Sequence, residues 1–140
     1  MEQHLFSIDE VNALIPKLEF VMGRLQQRGA ELRRGIEALA LETGKPTAEL
    51  NGSEIVELRP ALRPLIEDLE RLVGEIEECG GQFKGLDLGL VDFPAEINGE
   101  IALLCWQFGE KEVGYWHSLE GGFEGRQPLP RRQPRSTLLQ

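Results

Sequence analysis

Eight residues of this 140-residue chain, Ile55, Leu58, Leu62, Leu65, Leu69, Leu72, Ile76 and Cys79, are spaced alternately by three and by four without exception. That spacing puts all eight on one side of a helix, and a stripe so long and regular demands a partner rod alongside. The sequence offers one upstream. Leu14, Leu18, Val21, Leu25, Leu32 and Leu39 are separated by threes and fours, with Arg28 and Gly35 at two expected seam positions. A second row, Val11, Ile15, Met22 and Ile36, widens that stripe into a broad buried face. A connector over residues 45–52 is short enough to place consecutive helices side by side and antiparallel.

The ends of these rods are marked. Ser7-Ile8-Asp9-Glu10 fits a capping box, with Phe6 and Val11 at the staple positions, so a helix starts near Ile8. Pro16 predicts a kink, or a short helix handing over to a longer one. Gly23, Gly29 and Gly35 weaken the helix or admit a close neighbour. Gly44 and Pro46 end it, and Asn51 or Ser53 caps the next. Pro60 and Pro64 lie in phase with the second seam and predict a helix whose first turns are bent. Val56, Ile66 and Val73 form a further apolar row that the sheet or a second subunit must cover. Gly80-Gly81 breaks the second rod, Cys79 reads as a small buried hydrophobe at its end, and residues 82–89 read as a glycine-punctuated crossing.

From there the pattern changes period. Residues 88–93 read as a short strand ended by Pro94. Asn98-Gly99 between apolar alternations is a type I′ hairpin signal, because both turn residues need positive φ. A second reversal around residues 108–112 leads to Tyr115-Trp116-His117. Ala102, Leu104, Trp106 and Phe108 alternate with Ile101, Leu103, Cys105 and Gln107, so both faces of the central strand are largely apolar. The predicted fold is α+β: a long antiparallel helical hairpin packed on a small three- or four-stranded antiparallel sheet. A sheet so small needs the helix pair against one face. Residues 1–126 make a single domain, with the helical hairpin over about 8–80 and the β meander over about 86–119. Residues 127–140 are expected to be a flexible basic tail.

Charge narrows the function. The net charge is −9, yet residues 126–140 carry four arginines and no acid, which leaves −13 on residues 1–125. An acidic body argues against binding a phosphate backbone, so a nucleic-acid partner is not expected. Two cysteines without a secretory segment do not form a disulfide framework, and free thiols in a cytoplasmic protein are expected. No stretch approaches the apolar length of a membrane span.

Gly89-Leu90-Val91-Asp92-Phe93-Pro94-Ala95, Leu104-Cys105-Trp106, Gly109-Glu110, Tyr115-Trp116-His117, and Gly122-Phe123-x-Gly125-Arg126 together resemble the bacterial and archaeal Domain of Unknown Function 2203 family. Residues 6–16, from Phe6 to Pro16, resemble the opening of that family, and the likeness covers about residues 5–129. It implies no activity, substrate or cofactor.

The candidate chemistry gathers in the strand module. Asp92, Glu110, His117, Glu120 and Arg126 lie there with Cys105 beside them, and the histidine, the cysteine and two or three of the carboxylates could bind zinc or another divalent ion, although CxxC, HxxxH and HExxH spacings are absent. Strand parity decides whether they meet. An even-numbered loop pairs Cys105 with Trp116 or Gly114 and sends His117 to the opposite face, whereas an odd loop or a bulge brings Cys105 and His117 together. Structural readings stand beside these. His117 is a strand-end histidine bonded to a carbonyl or carboxylate, Asp92 a turn acid, Glu110 a loop tip, and Trp106, Tyr115 and Trp116 are packing residues. Arg126 pairs with Glu110 or Asp92 and pins the module, or binds substrate. Cys105, mid-strand among apolar residues, is a quiet thiol.

Two functions are therefore expected. The first is a non-catalytic cytoplasmic interaction or scaffold module that forms a homodimer or meets another protein. The alternative is a metal-binding or small-molecule enzyme centred on Asp92, Glu110, His117 and Arg126, with Trp116 added to the candidate functional cluster. In the alternative, those side chains converge on a shared cleft.

Overall fold

A computed structural model describes residues 3–130. Helix α1, Ile8–Thr43, is one rod of 36 residues. Its capping box is formed as read: the Ser7 hydroxyl accepts from the Glu10 amide at 3.0 Å, and the Glu10 carboxylate accepts from the Ser7 amide at 2.8 Å. The helix runs through Pro16 without interruption, so no handover occurs there. Pro16 lies on the exposed side, while Val11, Ile15 and Leu18 on the buried side hold the turns around it in place. Gly44, at φ 75°, closes the helix in the left-handed region.

The second rod departs from its predicted form. The expected bent helix is two helices, α2 at Gly52–Leu58 and α3 at Arg63–Glu78, joined by a 3-10 turn over Pro60–Leu62. Pro60 has no amide hydrogen and pushes the preceding Arg59 to an extended φ of −138°. Pro64 sits in the first turn of α3, where a missing donor costs nothing. The break takes Leu58 out of the seam and leaves it about half exposed. Asn51, rather than Ser53, caps α2 by accepting from the Glu54 amide at 2.8 Å.

The helices pack along α1. Near the tip of the hairpin, Leu39, Leu50, Ile55 and Leu62 form a small cluster that also takes in Ile66. At the other end, Val11, Leu18, Val21, Met22 and Leu25 of α1 meet Leu72 and Ile76 of α3 and one face of the sheet. Val73 packs against this main core, so two of the three residues of the surplus row are covered within the chain. Two helix glycines mark close approaches: a Cβ at Gly29 would lie 2.6 Å from Leu86, and one at Gly35 would lie 2.6 Å from Leu62.

The sheet has five antiparallel strands in sequence order, β1 at Gln82–Gly85, β2 at Leu90–Ile97, β3 at Glu100–Gln107, β4 at Tyr115–His117 and β5 at Gln127–Pro128. The segment read as a crossing supplies β1, which pairs Gln82 with Asp92 and Phe83 with Val91. β2 continues through Pro94 instead of ending before it. Register on the β1 side stops at Asp92, so the amide that Pro94 lacks is not called upon, and its carbonyl accepts from the Phe6 amide at 2.7 Å. Asn98 and Gly99 have φ of 54° and 82° and join the paired residues Ile97 and Glu100, as a two-residue type I′ turn requires. Beyond residue 126, β5 pairs with β4 and the Leu129 amide donates to the Gly114 carbonyl at 2.8 Å. Residues 131–140, which hold most of the expected basic tail, lie outside the described residues.

Candidate metal centre

Alternation along the strands sorts side chains to two faces. Val91, Phe93, Ala95, Leu104 and Trp106 face the helices and complete the main core. Their neighbours in sequence, Leu90, Asp92, Leu103 and Cys105, face the other way. Register then settles the parity question. Asp92 pairs directly with Cys105, Cys105 pairs with Tyr115, and Leu103 pairs with His117. Asp92, Cys105 and His117 therefore share the outer face, from three adjacent strands.

They converge. One ligand atom from each, the Cys105 sulfur, an imidazole nitrogen and a carboxylate oxygen, lies within 4.8 Å of the other two, and all three residues are buried. Asp92 is 2% exposed and His117 is 3% exposed. His117 reaches over β3 to place Nε2 2.9 Å from Asp92 Oδ2, and its Nδ1 lies 2.7 Å from the Ser118 carbonyl oxygen. Asp92 Oδ1 is buried without a hydrogen-bond partner among the described residues.

These distances set the chemistry. A carbonyl can only accept, so Nδ1 of His117 carries a hydrogen. Nε2 then faces a carboxyl oxygen of Asp92 at 2.9 Å in a buried site. Two lone pairs cannot be held together there. The contact needs a proton shared between the imidazole and the carboxyl, or a metal ion taken up beside Asp92 and Cys105. The Ser118 carbonyl performs the part that such outer partners play for metal-bound histidines: it selects the tautomer and aims Nε2 inward. The Cys105 thiol is pushed up to about 12, first by burial and then by the Asp92 charge, with Arg126 opposing. Without a metal it is a neutral thiol and a poor nucleophile.

A cap covers the cluster. After His117 the chain turns through Ser118, whose carbonyl also accepts from the Gly121 amide at 3.1 Å, and through Gly122 at φ 63°. It returns as a 3-10 turn at Phe123–Gly125. Arg126 closes it: Nη2 donates to both Glu110 oxygens at 2.9 Å and to the Cys105 carbonyl at 3.1 Å, and the guanidinium lies 4.1 Å from the Tyr115 ring centre. Glu110 in turn accepts from the Gln107 amide at 2.7 Å, and its carbonyl accepts from Trp106 Nε1 at 2.9 Å. Between sheet and cap remains a cleft of about 270 Å³, on which Asp92, Cys105 and His117 all open.

Of the sequence candidates, Asp92, Cys105 and His117 thus form one cluster. Glu110 and Arg126 form an ion pair that fastens the cap against the back of Cys105 and do not line the cleft. Trp116 projects to the opposite face, where it packs against the main core. Glu120, named with the cluster from the sequence, lines the cleft, and one further charged residue there, Lys84, stood outside the predicted cluster. Lys84 lay in the stretch taken for a crossing, and its i, i+2 relation to Gln82, opposite Asp92, becomes visible only once β1 is recognised. The Ser118 carbonyl is a backbone group, which no residue type announces.

No helix among the described residues is long and apolar enough to cross a membrane. No curated protein and no solved structure matches the chain. A family model described as "Uncharacterized conserved protein (DUF2203)" matches residues 4–129, and the chain belongs to that family.

Proposed function

We propose that the protein binds one divalent metal ion of the zinc type, through Asp92, Cys105 and His117, with the fourth coordination position facing the cleft. Of the two expectations drawn from the sequence, the convergence of these side chains supports the metal-binding one. The observation that carries the reading is the 2.9 Å meeting of His117 Nε2 with Asp92 Oδ2 while Nδ1 is committed to a carbonyl. A proton or a metal ion between them satisfies that pair, and the orphaned Asp92 Oδ1 and the nearby thiol supply the rest of a donor set for the metal. Nitrogen, sulfur and a single carboxylate oxygen suit zinc, or cobalt in its place, better than magnesium or calcium, which take oxygen ligands. Three protein ligands and an open position are the arrangement of zinc sites that act on a small molecule, whereas structural zinc sites are closed by a fourth protein ligand.

The charge balance is consistent. A divalent ion with carboxylate, thiolate and neutral imidazole is neutral overall, so the loaded site does not bury a net charge. The test is elemental analysis of protein made without a histidine tag, followed by cobalt substitution. One metal per chain and a thiolate-to-cobalt absorption band that vanishes in Cys105→Ser are expected. A wild-type chain that takes up no cobalt would end the proposal.

A further inference from the structure

Resting on the metal reading, we infer that the cleft is a binding site for a free α-amino acid with an apolar side chain. Three features of the cavity carry this. Its size, about 270 Å³, is at the small end of ligand sites and admits a fragment rather than a nucleotide or a peptide. Its walls away from the cluster are apolar: Leu90 and Leu103 from the sheet, Leu119 and Phe123 from the cap. Leu119 and Phe123 are exposed in the unliganded chain, and a bound side chain would cover them.

The third feature is charge. Apart from the three proposed ligands, the charged residues that line the cleft are one cation, Lys84, and one anion, Glu120. Lys84 comes from β1, beyond β2, and Glu120 from the turn after β4, so they flank the cluster from its two sides. Neither is engaged in an ion pair or hydrogen bond among the described residues. Opposite charges in one small cleft that do not satisfy each other fit a ligand carrying both signs. The ligand's carboxylate occupies the open metal position beside Lys84, its ammonium meets Glu120, and its side chain lies against the leucines and Phe123. The metal and Lys84 recognise the same group, while Glu120 supplies the selectivity for a zwitterion over a simple carboxylate.

The experiment uses the cobalt-loaded full chain, titrated calorimetrically and by visible absorption with L-leucine, 4-methylpentanoate and 3-methylbutylamine. The last two lack the ammonium and the carboxylate, respectively. L-leucine is expected to shift the cobalt band and to bind at least about tenfold more tightly than either analogue, the scale of one charged hydrogen bond. Glu120→Gln should erase the preference over 4-methylpentanoate, and Lys84→Gln should narrow the preference over 3-methylbutylamine. Both side chains are exposed, so neither variant threatens folding, and the unliganded cobalt spectrum serves as the control. Equal binding of the three compounds, an unmoved band, or cobalt stripped into solution by leucine would overturn the inference and leave the metal site standing. A wild-type chain with no cobalt band before any leucine is added would overturn both.

Discussion

The two faces of the sheet are built from alternate residues of the same strands, yet they are stabilised by different physics. The inner face, Val91, Phe93, Leu104 and Trp106, is fully apolar apart from one indole hydrogen bond to the Glu110 carbonyl. It is held by area removed from water and by shape. The outer face, one residue out of step, buries a carboxylate, an imidazole and a thiol under a short cap. Burial of that kind is costly unless every polar atom is matched, and here Asp92 Oδ1 is not. A fold that needed only stability would have filled both faces alike. The inner face makes the sheet, and the outer face carries the polar cluster.

Substitutions can break this comparison. The largest effect is expected on the inner face, where Trp106→Ala should cost about 3–5 kcal/mol, measured by urea denaturation. On the outer face, His117→Leu should cost nearly as much, about 3–5 kcal/mol, because it leaves the buried Asp92 charge alone. The double variant with Asp92→Leu should recover most of that loss, and a double variant no more stable than the single one would refute the view that the cluster is a burden on the fold. Zinc at a hundredfold excess over its dissociation constant should stabilise the wild type by about 2.7 kcal/mol and leave that double variant unmoved. A chelator should reverse the gain.

The fastening of the cap is a smaller contribution. Glu110→Gln weakens the charged bonds from Arg126, with an expected cost of about 1–3 kcal/mol, and it should increase amide exchange through residues 118–126 while sparing α1. A further effect is confined to alkaline pH and to metal-free protein. The folded Cys105 thiol is raised from 9.0 to about 12, so the unfolded thiol ionises first. Stability should be level below about pH 9 and decline from there toward pH 12, and Cys105→Ala should flatten that decline.

Much of this architecture was legible because it rests on local rules. The capping box at Ser7, the left-handed Gly44 and the Asn98-Gly99 turn each follow from a few adjacent residues. The departures arose where a local rule met a tertiary one. Pro60 ended a helix that the seam would have carried on, since a missing amide and a clash outweigh one more apolar contact. Pro94 did the reverse. It read as a stop, but it lies where β1 no longer pairs, so its missing donor goes unused. The glycine-rich run after Gly81 looked like a loop because its strand character comes from pairing with β2 and not from its own composition.

The candidate residues were named from chemistry alone, and their grouping was not. By itself the chain's order of residue types determined two apolar rods, a hairpin and a polar set that included Asp92, Cys105 and His117. Only the tertiary structure decided that these three meet while Trp116 turns away and Glu110 is taken by Arg126. The reason is parity. Side chains alternate with a period of two along a strand, so one residue more or less in the turn between β3 and β4 moves His117 to the other face. How many residues that turn takes up is set by the register of β3 on β4, in which Cys105 pairs with Tyr115, and register belongs to paired strands and not to neighbouring residues.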